Sequence, residues 1–259
     1  MDLHLRDKVF LITGGAKGIG EAVSMTLYDE GAIPVIVDKD EVAGQSLKEK
    51  LHGRAYFIKS NIISAEACAE VINRVISLTG SLHGIVNNAG VNDGIGLING
   101  SPVKFITSLN NNVGHYYYLT HFALPHLIKT KGAIVNVSSK TALTGQGGTS
   151  GYVAAKGAIL ALTREWAVEL LEHGIRVNAV VPAEVWTPMY ESWIKAQKNP
   201  EQKLEAITRK IPLQNRMTTP QEIADTVLFL LSSRASHITG EWLHVDGGYV
   251  HLDRAIQKN

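Results

Sequence analysis

Lys8-Val9-Phe10-Leu11-Ile12-Thr13-Gly14-Gly15-Ala16-Lys17-Gly18-Ile19-Gly20 is the stretch on which the reading of the fold turns. Its first half, Lys8 to Thr13, is an apolar, β-branched run that reads as a buried strand. A glycine turn follows, and from about Gly18 to Glu30 the residues Ile19, Ala22, Val23, Met25 and Leu27 fall on a helical template. Glycine suits such a turn because it adopts positive φ and lets another group approach the backbone closely. The N–H groups that open the helix have no partner within it, so they favour an anion, and a pyrophosphate fits. Gly14, Lys17, Gly18, Ile19 and Gly20 are therefore candidate dinucleotide-binding residues.

The second strand, Ile33-Pro34-Val35-Ile36-Val37-Asp38, ends on an acid 18 residues beyond Gly20. A carboxylate at that place accepts both ribose hydroxyls of NAD and repels a 2′-phosphate. Lys17 and Lys39 would instead suit that phosphate, so the reading is NAD, with NADP the alternative. Pro34 is tolerable because the missing N–H costs little near the start of a strand.

Further strands are expected at Ala55–Lys59, Gly84–Asn87, Ala133–Val137, Ile175–Val180 and Trp242–Val245, with helices near 40–51, 64–79, 102–130, 150–173 and 219–231. Seven strands joined by helices predict an α/β fold with a parallel, doubly wound sheet, since parallel strands need crossover connections. Cover on both faces explains strands that read as unbroken apolar runs. No repeat or linker interrupts the chain, so residues 1–259 are read as one domain. The stretch 187–218 fits two short helices with loops, a substrate lid by position.

Composition narrows the classes. At 259 residues and 45% apolar content the chain can bury a core and is not a disordered segment. A net charge of +1 gives no reason to expect nucleic acid or an anionic membrane surface. Cys68 is the only cysteine, which excludes an internal disulfide and a CxxC knuckle. No run long enough to span a bilayer and no leader pattern is found, so a cytoplasmic protein is expected. His115, His121 and His126 are six and five residues apart and do not share a helical face, so no metal site is expected.

A second constellation carries chemistry. Tyr152 and Lys156 lie one helical turn apart and point to one site. A phenol with a pKa near 10 is a poor base, and an adjacent ammonium favours its phenolate. The strand Ala133–Val137 ends in Ser138 and Ser139, just where open α/β sheets place their sites. Ser139 precedes Tyr152 by 13 residues across a glycine-rich loop that can bring both hydroxyls together. Asn87-Asn88-Ala89-Gly90 ends the fourth strand and sets Asn88, Ala89 and Gly90 beside the cofactor.

Taken in order, Thr13-Gly14 with Gly18 and Gly20, Asn87-Asn88-Ala89-Gly90, Ser139 and Tyr152 with Lys156 resemble the short-chain dehydrogenase/reductase family. Val245-Asp246-Gly247-Gly248 extends the likeness to the last strand. The resemblance implies a Rossmann-type domain, metal-free hydride transfer with nicotinamide, and a homotetramer or dimer. It implies Tyr152 as general acid/base, Lys156 as holder of the ribose, Ser139 as positioner of the reacting oxygen and Asn111 as support of a water relay. It also implies Asn61 and Ile62 beside the adenine, and Val185 and Thr187 beside the nicotinamide amide. Pro182-Ala183 departs from the family's Pro-Gly, and Thr218 stands where glycine is frequent.

The substrate pocket is expected from Asn92, Asp93, Gln146, Glu184, Trp186 and Tyr190, a polar set that suits a polyhydroxylated ring. The segments 182–190 and 216–220 and the tail 248–255 are similar to the L-fucose dehydrogenase branch, which implies oxidation of an aldose to its lactone. The alternatives are reduction of a 3-oxoacyl thioester on an acyl carrier, other small alcohols or ketones, and an inactive cofactor-binding sensor.

Overall fold

The computed structural model describes residues 2–252. Asp253, Arg254 and Ala255 of the tail, counted above toward the L-fucose dehydrogenase resemblance, lie outside the described residues. Seven parallel strands form one sheet: β1 (Val9–Thr13), β2 (Ile33–Asp38), β3 (Tyr56–Lys59), β4 (Gly84–Asn87), β5 (Ala133–Val137), β6 (Arg176–Pro182) and β7 (Trp242–Val245). Their order is β3-β2-β1-β4-β5-β6-β7, so the chain leaves β1 towards one edge and returns beside it as β4. The crevice opened by that reversal lies at the carboxyl ends of the strands.

Alternation along each strand feeds two layers. Val9 and Leu11 face helices α3 (Ala65–Thr79), α5 (His115–Thr130) and α7 (Ser150–Glu169), burying Val71, Leu119 and Ile159 among others. Phe10 and Ile12 face α1 (Gly18–Asp29) and α10 (Pro220–Leu231), with Val23, Leu27 and Val227 in that layer. The expected Rossmann-type sheet with helices on both faces is what the chain forms. Pro34 fits because Ile33 donates to the Lys8 carbonyl on the β1 side, whereas pairing with β3 begins only at Val35. The proline nitrogen faces a side where no ladder has yet formed.

Several helix starts are set by side-chain capping, beginning with Asp40 on α2 (Glu41–Lys50). Ser64 caps α3, Ser101 precedes Pro102 of α4 (Pro102–Leu109), and Thr219 with Glu222 forms a capping box on α10. The stretch expected as one helix over 102–130 is instead α4 and α5 joined by a π-helical turn, Asn110–Gly114. Asn112 accounts for the break: its amide donates to the Ser108 carbonyl at 2.9 Å and accepts from the Val91 N–H at 2.7 Å. A side chain that bonds both to the preceding turn and to a neighbouring loop widens the helix locally. A short helix α6 (Thr141–Thr144) follows β5, and the stretch 187–218 contains α8 (Pro188–Lys195) and α9 (Pro200–Thr208).

Gly20 shows how tightly the first turn packs, since a Cβ there would collide with the Gly14 carbonyl oxygen. In an ordinary helix glycine-to-alanine stabilises by about 1 kcal/mol. Here Gly20→Ala is expected to destabilise by about 1–3 kcal/mol through overpacking. Urea unfolding of the variant checks the sign, and a higher midpoint than the parent would contradict this packing.

Candidate active site

The glycine turn is tied to the neighbouring strand end. Thr13 Oγ1 accepts the Asn88 and Ala89 N–H groups at 2.9 and 3.0 Å, and the Asn88 amide donates to the Thr13 and Gly14 carbonyls at 2.9 and 3.1 Å. Gly14 and Gly18 have φ of 59° and 58°, a conformation that favours glycine. Asp38 sits under the turn, its two carboxylate oxygens accepting the Ala16 and Asp40 N–H groups at 3.2 and 3.0 Å. Lys17 turns to Asp40 at 2.5 Å, and this exposed pair raises the lysine and lowers the acid. Beyond β3, Asn61 is exposed and Ile62 buried.

The same crevice continues across the sheet. A Cβ at Gly18 would lie 3.3 Å from Thr187 Cγ2, and one at Gly90 would lie 3.5 Å from Lys156 Nζ. Val185 is buried and bridges to Thr218. The turn, the end of β4, Lys156 and the segment after β6 thus line one cleft. Ile19 and Gly20 stand in the first turn of α1 behind it.

Tyr152 lies in the first turn of α7, and Lys156 follows one turn on, 3% exposed. The lysine ammonium donates to the Val137 carbonyl at 2.7 Å and to the Tyr116 hydroxyl at 3.3 Å, while Tyr116 donates to the same carbonyl at 2.9 Å. Ser139 Oγ accepts from the Thr141 hydroxyl and N–H at 3.0 and 3.2 Å and lies close enough to Tyr152 to favour its phenolate. With two donors already on its oxygen, Ser139 has its proton to give to the phenol oxygen.

Burial pushes the Tyr152 phenol above its ordinary value, the Ser139 hydroxyl opposes this, and the Glu184 carboxylate adds to the rise. The acidified phenol expected from the sequence therefore meets a stronger opposing effect. Lys156 is 5.7 Å from the Tyr152 ring centroid, and burial pulls its ammonium down to about 7. His115, also buried, is pulled down to about 3 by burial and by the Lys156 charge.

Asn111, expected to support the relay, is half-buried and reaches His115 through its backbone. Asn112 is the fully buried amide, and its oxygen is the atom nearest a Cβ built on Gly90. Of the expected pocket residues, Glu184 joins Tyr152, whose phenol responds to its charge. Gln146 and Trp186 are exposed, and Asp93 accepts the Ser108 hydroxyl at 2.9 Å. Three residues not foreseen belong to this region: Asn112, Tyr116 and Lys140. Lys140 pairs with Glu184, whose other oxygen accepts the Tyr190 hydroxyl at 2.7 Å. Its position directly after Ser139 was the available signal.

A family model described as enoyl-(acyl carrier protein) reductase matches residues 14–250. The chain belongs to the short-chain dehydrogenase/reductase family. It is 36% identical to L-fucose dehydrogenase of Mus musculus, over 93% of this chain and 88% of that protein. It is 35% identical to the 3-oxoacyl-[acyl-carrier-protein] reductase FabG of Thermotoga maritima, over 96% of this chain and 100% of that one. Among solved structures it matches that of Cj0485 dehydrogenase with a TM-score of 0.96 and 44% identity, covering 100% of both chains. As a member of the short-chain dehydrogenase/reductase family it is an NAD(P)-dependent oxidoreductase acting on CH–OH groups. No helix among the described residues is long and apolar enough to cross a membrane.

The residues present fit a nicotinamide dinucleotide: positive-φ glycines lead into a helix start, Asp38 lies beside them, and Gly90 leaves space against Lys156.

The buried lysine has a consequence for stability. Folding lowers its pKa from 10.5 to about 7, so the unfolded chain binds more protons between those values and stability rises with pH there. The Cys68 thiol, pushed up to about 12 by burial, acts oppositely only above its ordinary 9.0. The denaturant midpoint should therefore climb between pH 7 and about 8.5, and Lys156→Met should flatten that climb. Parallel slopes in parent and variant would contradict a Lys156 pKa lowered by burial.

Proposed function

We propose that this protein oxidises the anomeric hydroxyl of L-fucose, or of a related aldose, to the lactone with NAD as acceptor. The observation that carries this reading is the charged, hydrogen-bonding mouth formed by Lys140, Glu184 and Tyr190 next to the Ser139–Tyr152 pair. Such groups suit a polyhydroxylated ring and would leave a long acyl chain in contact with buried charge. The similarity to L-fucose dehydrogenase supports the same substrate class.

Ser139 holds the substrate oxygen while Tyr152, as phenolate, accepts its proton. Bound NAD supplies the acceptor for the hydride leaving the anomeric carbon, which becomes the lactone carbonyl. Lys156 holds the nicotinamide ribose and places positive charge near the phenolate, the state that burial alone disfavours. Asn112 fixes the loop after β4 and the widened turn, and Asn111 carries the backbone beside them.

Gly14, Lys17, Gly18, Ile19 and Gly20 line the pyrophosphate, and Asp38 accepts the adenosine ribose hydroxyls. Lys17, paired with Asp40, does not offer its charge to a 2′-phosphate, which supports NAD over NADP. Asn61 and Ile62 flank the adenine. Asn88, Ala89, Gly90, Val185 and Thr187 border the nicotinamide half. Gln146, Asp93 and Trp186 form the outer substrate rim, and residues 187–218 act as the lid.

Apolar side chains exposed on α4, α5 and α7, namely Val103, Ile106, Tyr117 and Val168, support assembly as a homotetramer. Sedimentation should give four chains, and a monomer at micromolar concentration would refute that assembly.

Purified protein should reduce NAD with L-fucose, and an aldose panel without turnover would refute the sugar reading. Tyr152→Phe should lower kcat by at least about 100-fold, in line with loss of a general base, while NAD affinity stays within about threefold. Retained turnover would show that another group handles the proton. Activity only with 3-oxoacyl thioesters would favour the acyl-carrier reading.

A further inference from the structure

Lys140 and Glu184 are the charged pair nearest the reacting hydroxyls that no motif explains. Lys140 lies just beyond β5 and Glu184 just beyond β6, and the Lys140 N–H donates to the Pro182 carbonyl at 2.9 Å, so both stand on coupled strand ends. Their side chains are 9% and 16% exposed. A buried ion pair adds little net stability, because desolvation offsets the attraction, so folding alone gives no reason to keep one here.

The two groups also have capacity left over. An ammonium offers three donors, and among the described residues that of Lys140 meets one Glu184 oxygen and the Tyr249 ring, 3.7 Å below it. Each Glu184 oxygen has two lone pairs, with Lys140 on one oxygen and Tyr190 on the other. Glu184 is close enough to Tyr152 for its charge to act on the phenol, so the pair shares the reacting cleft.

We propose that Lys140 and Glu184 together read a vicinal diol beside the reacting carbon, Lys140 donating to one ring hydroxyl while Glu184 accepts from it or its neighbour. The proposal rests on the reading that this cleft oxidises a polyol, and it makes Lys140 a specificity-determining residue. A ligand lacking the second hydroxyl displaces water from the spare Lys140 donors and Glu184 lone pairs without replacing its hydrogen bonds, which is a ground for rejection.

The test uses the full chain loaded with NADH and calorimetric titration of cis-1,2-cyclohexanediol and cyclohexanol. The parent should bind the diol at least about tenfold more tightly, the scale of a hydrogen bond to a charged group. Lys140→Met should bring that ratio towards one, and Lys140→Arg should restore part of it. Should the single variant fold poorly because Glu184 is left unpaired, Lys140→Met with Glu184→Leu removes both charges and should show the same collapse. No diol preference in the parent, no detectable diol binding, or a ratio unchanged in the variants would overturn the proposal. L-fucose oxidation assayed alongside separates the two readings. Diol preference without L-fucose turnover refutes only the sugar assignment, and L-fucose turnover without diol preference refutes only the role of Lys140.

Discussion

An ammonium group with almost no access to water has to be held by acceptors the fold itself provides, and Lys156 is held in this way. The Val137 carbonyl at the end of β5 and the Tyr116 hydroxyl from α5 both accept from it. The Ser138 hydroxyl in turn donates to the Lys156 carbonyl at 2.8 Å, locking α7 to the same strand end. Three elements must therefore be in register before the lysine can be buried, and that register places Tyr152 against Ser139. The cost of desolvating the lysine is the reason the surrounding polar network is closed so tightly.

The other half of the cleft depends on backbone constraints. Thr13 and Asn88 cross-link the ends of β1 and β4, and the turn is so close-packed that a Cβ at Gly14, Gly15 or Gly20 would press on Ala89, the Ile12 carbonyl or the Gly14 carbonyl. Between the halves, Asn112 ties the π-helical turn to the loop after β4, within reach of both Gly90 and the lysine. The cleft is thus built on strand and helix ends, elements that hold side chains more precisely than long loops do. Lys140, Glu184 and Tyr190, linked through the Glu184 carboxylate, are mounted around that fixed frame.

Much of this was legible in the chain. The strands announced themselves as apolar runs because both faces of the sheet are covered, and the boundaries moved little: β1 begins at Val9, β3 at Tyr56, and β6 extends to Pro182. The glycine turn, Asp38, Ser139, Tyr152 and Lys156 were legible because their spacing follows from the backbone. What escaped depends on contacts between distant segments. The break in residues 102–130 is made by one amide reaching Val91, 21 residues away, and periodicity carries no trace of it. For the same reason three successive asparagines could not be ranked by spacing alone, and Asn112, one residue beyond the expected Asn111, is the buried one. Lys140 meets an acid 44 residues ahead, a pairing visible only once β5 and β6 lie side by side. The balance on the Tyr152 phenol likewise depends on its burial, which opposes the simple effect of a neighbouring cation.

The chemistry then reduces to whether the phenol and the serine converge on one substrate oxygen at the mouth of this cleft. A crystal structure of the chain with NADH and L-fucose measures that directly. The account predicts the Tyr152 hydroxyl oxygen within about 2.6–3.2 Å of the anomeric oxygen, with Ser139 on the same atom and the anomeric carbon facing the nicotinamide. A sugar bound with its anomeric oxygen remote from Tyr152, and contacted by a different acid or base, would contradict it.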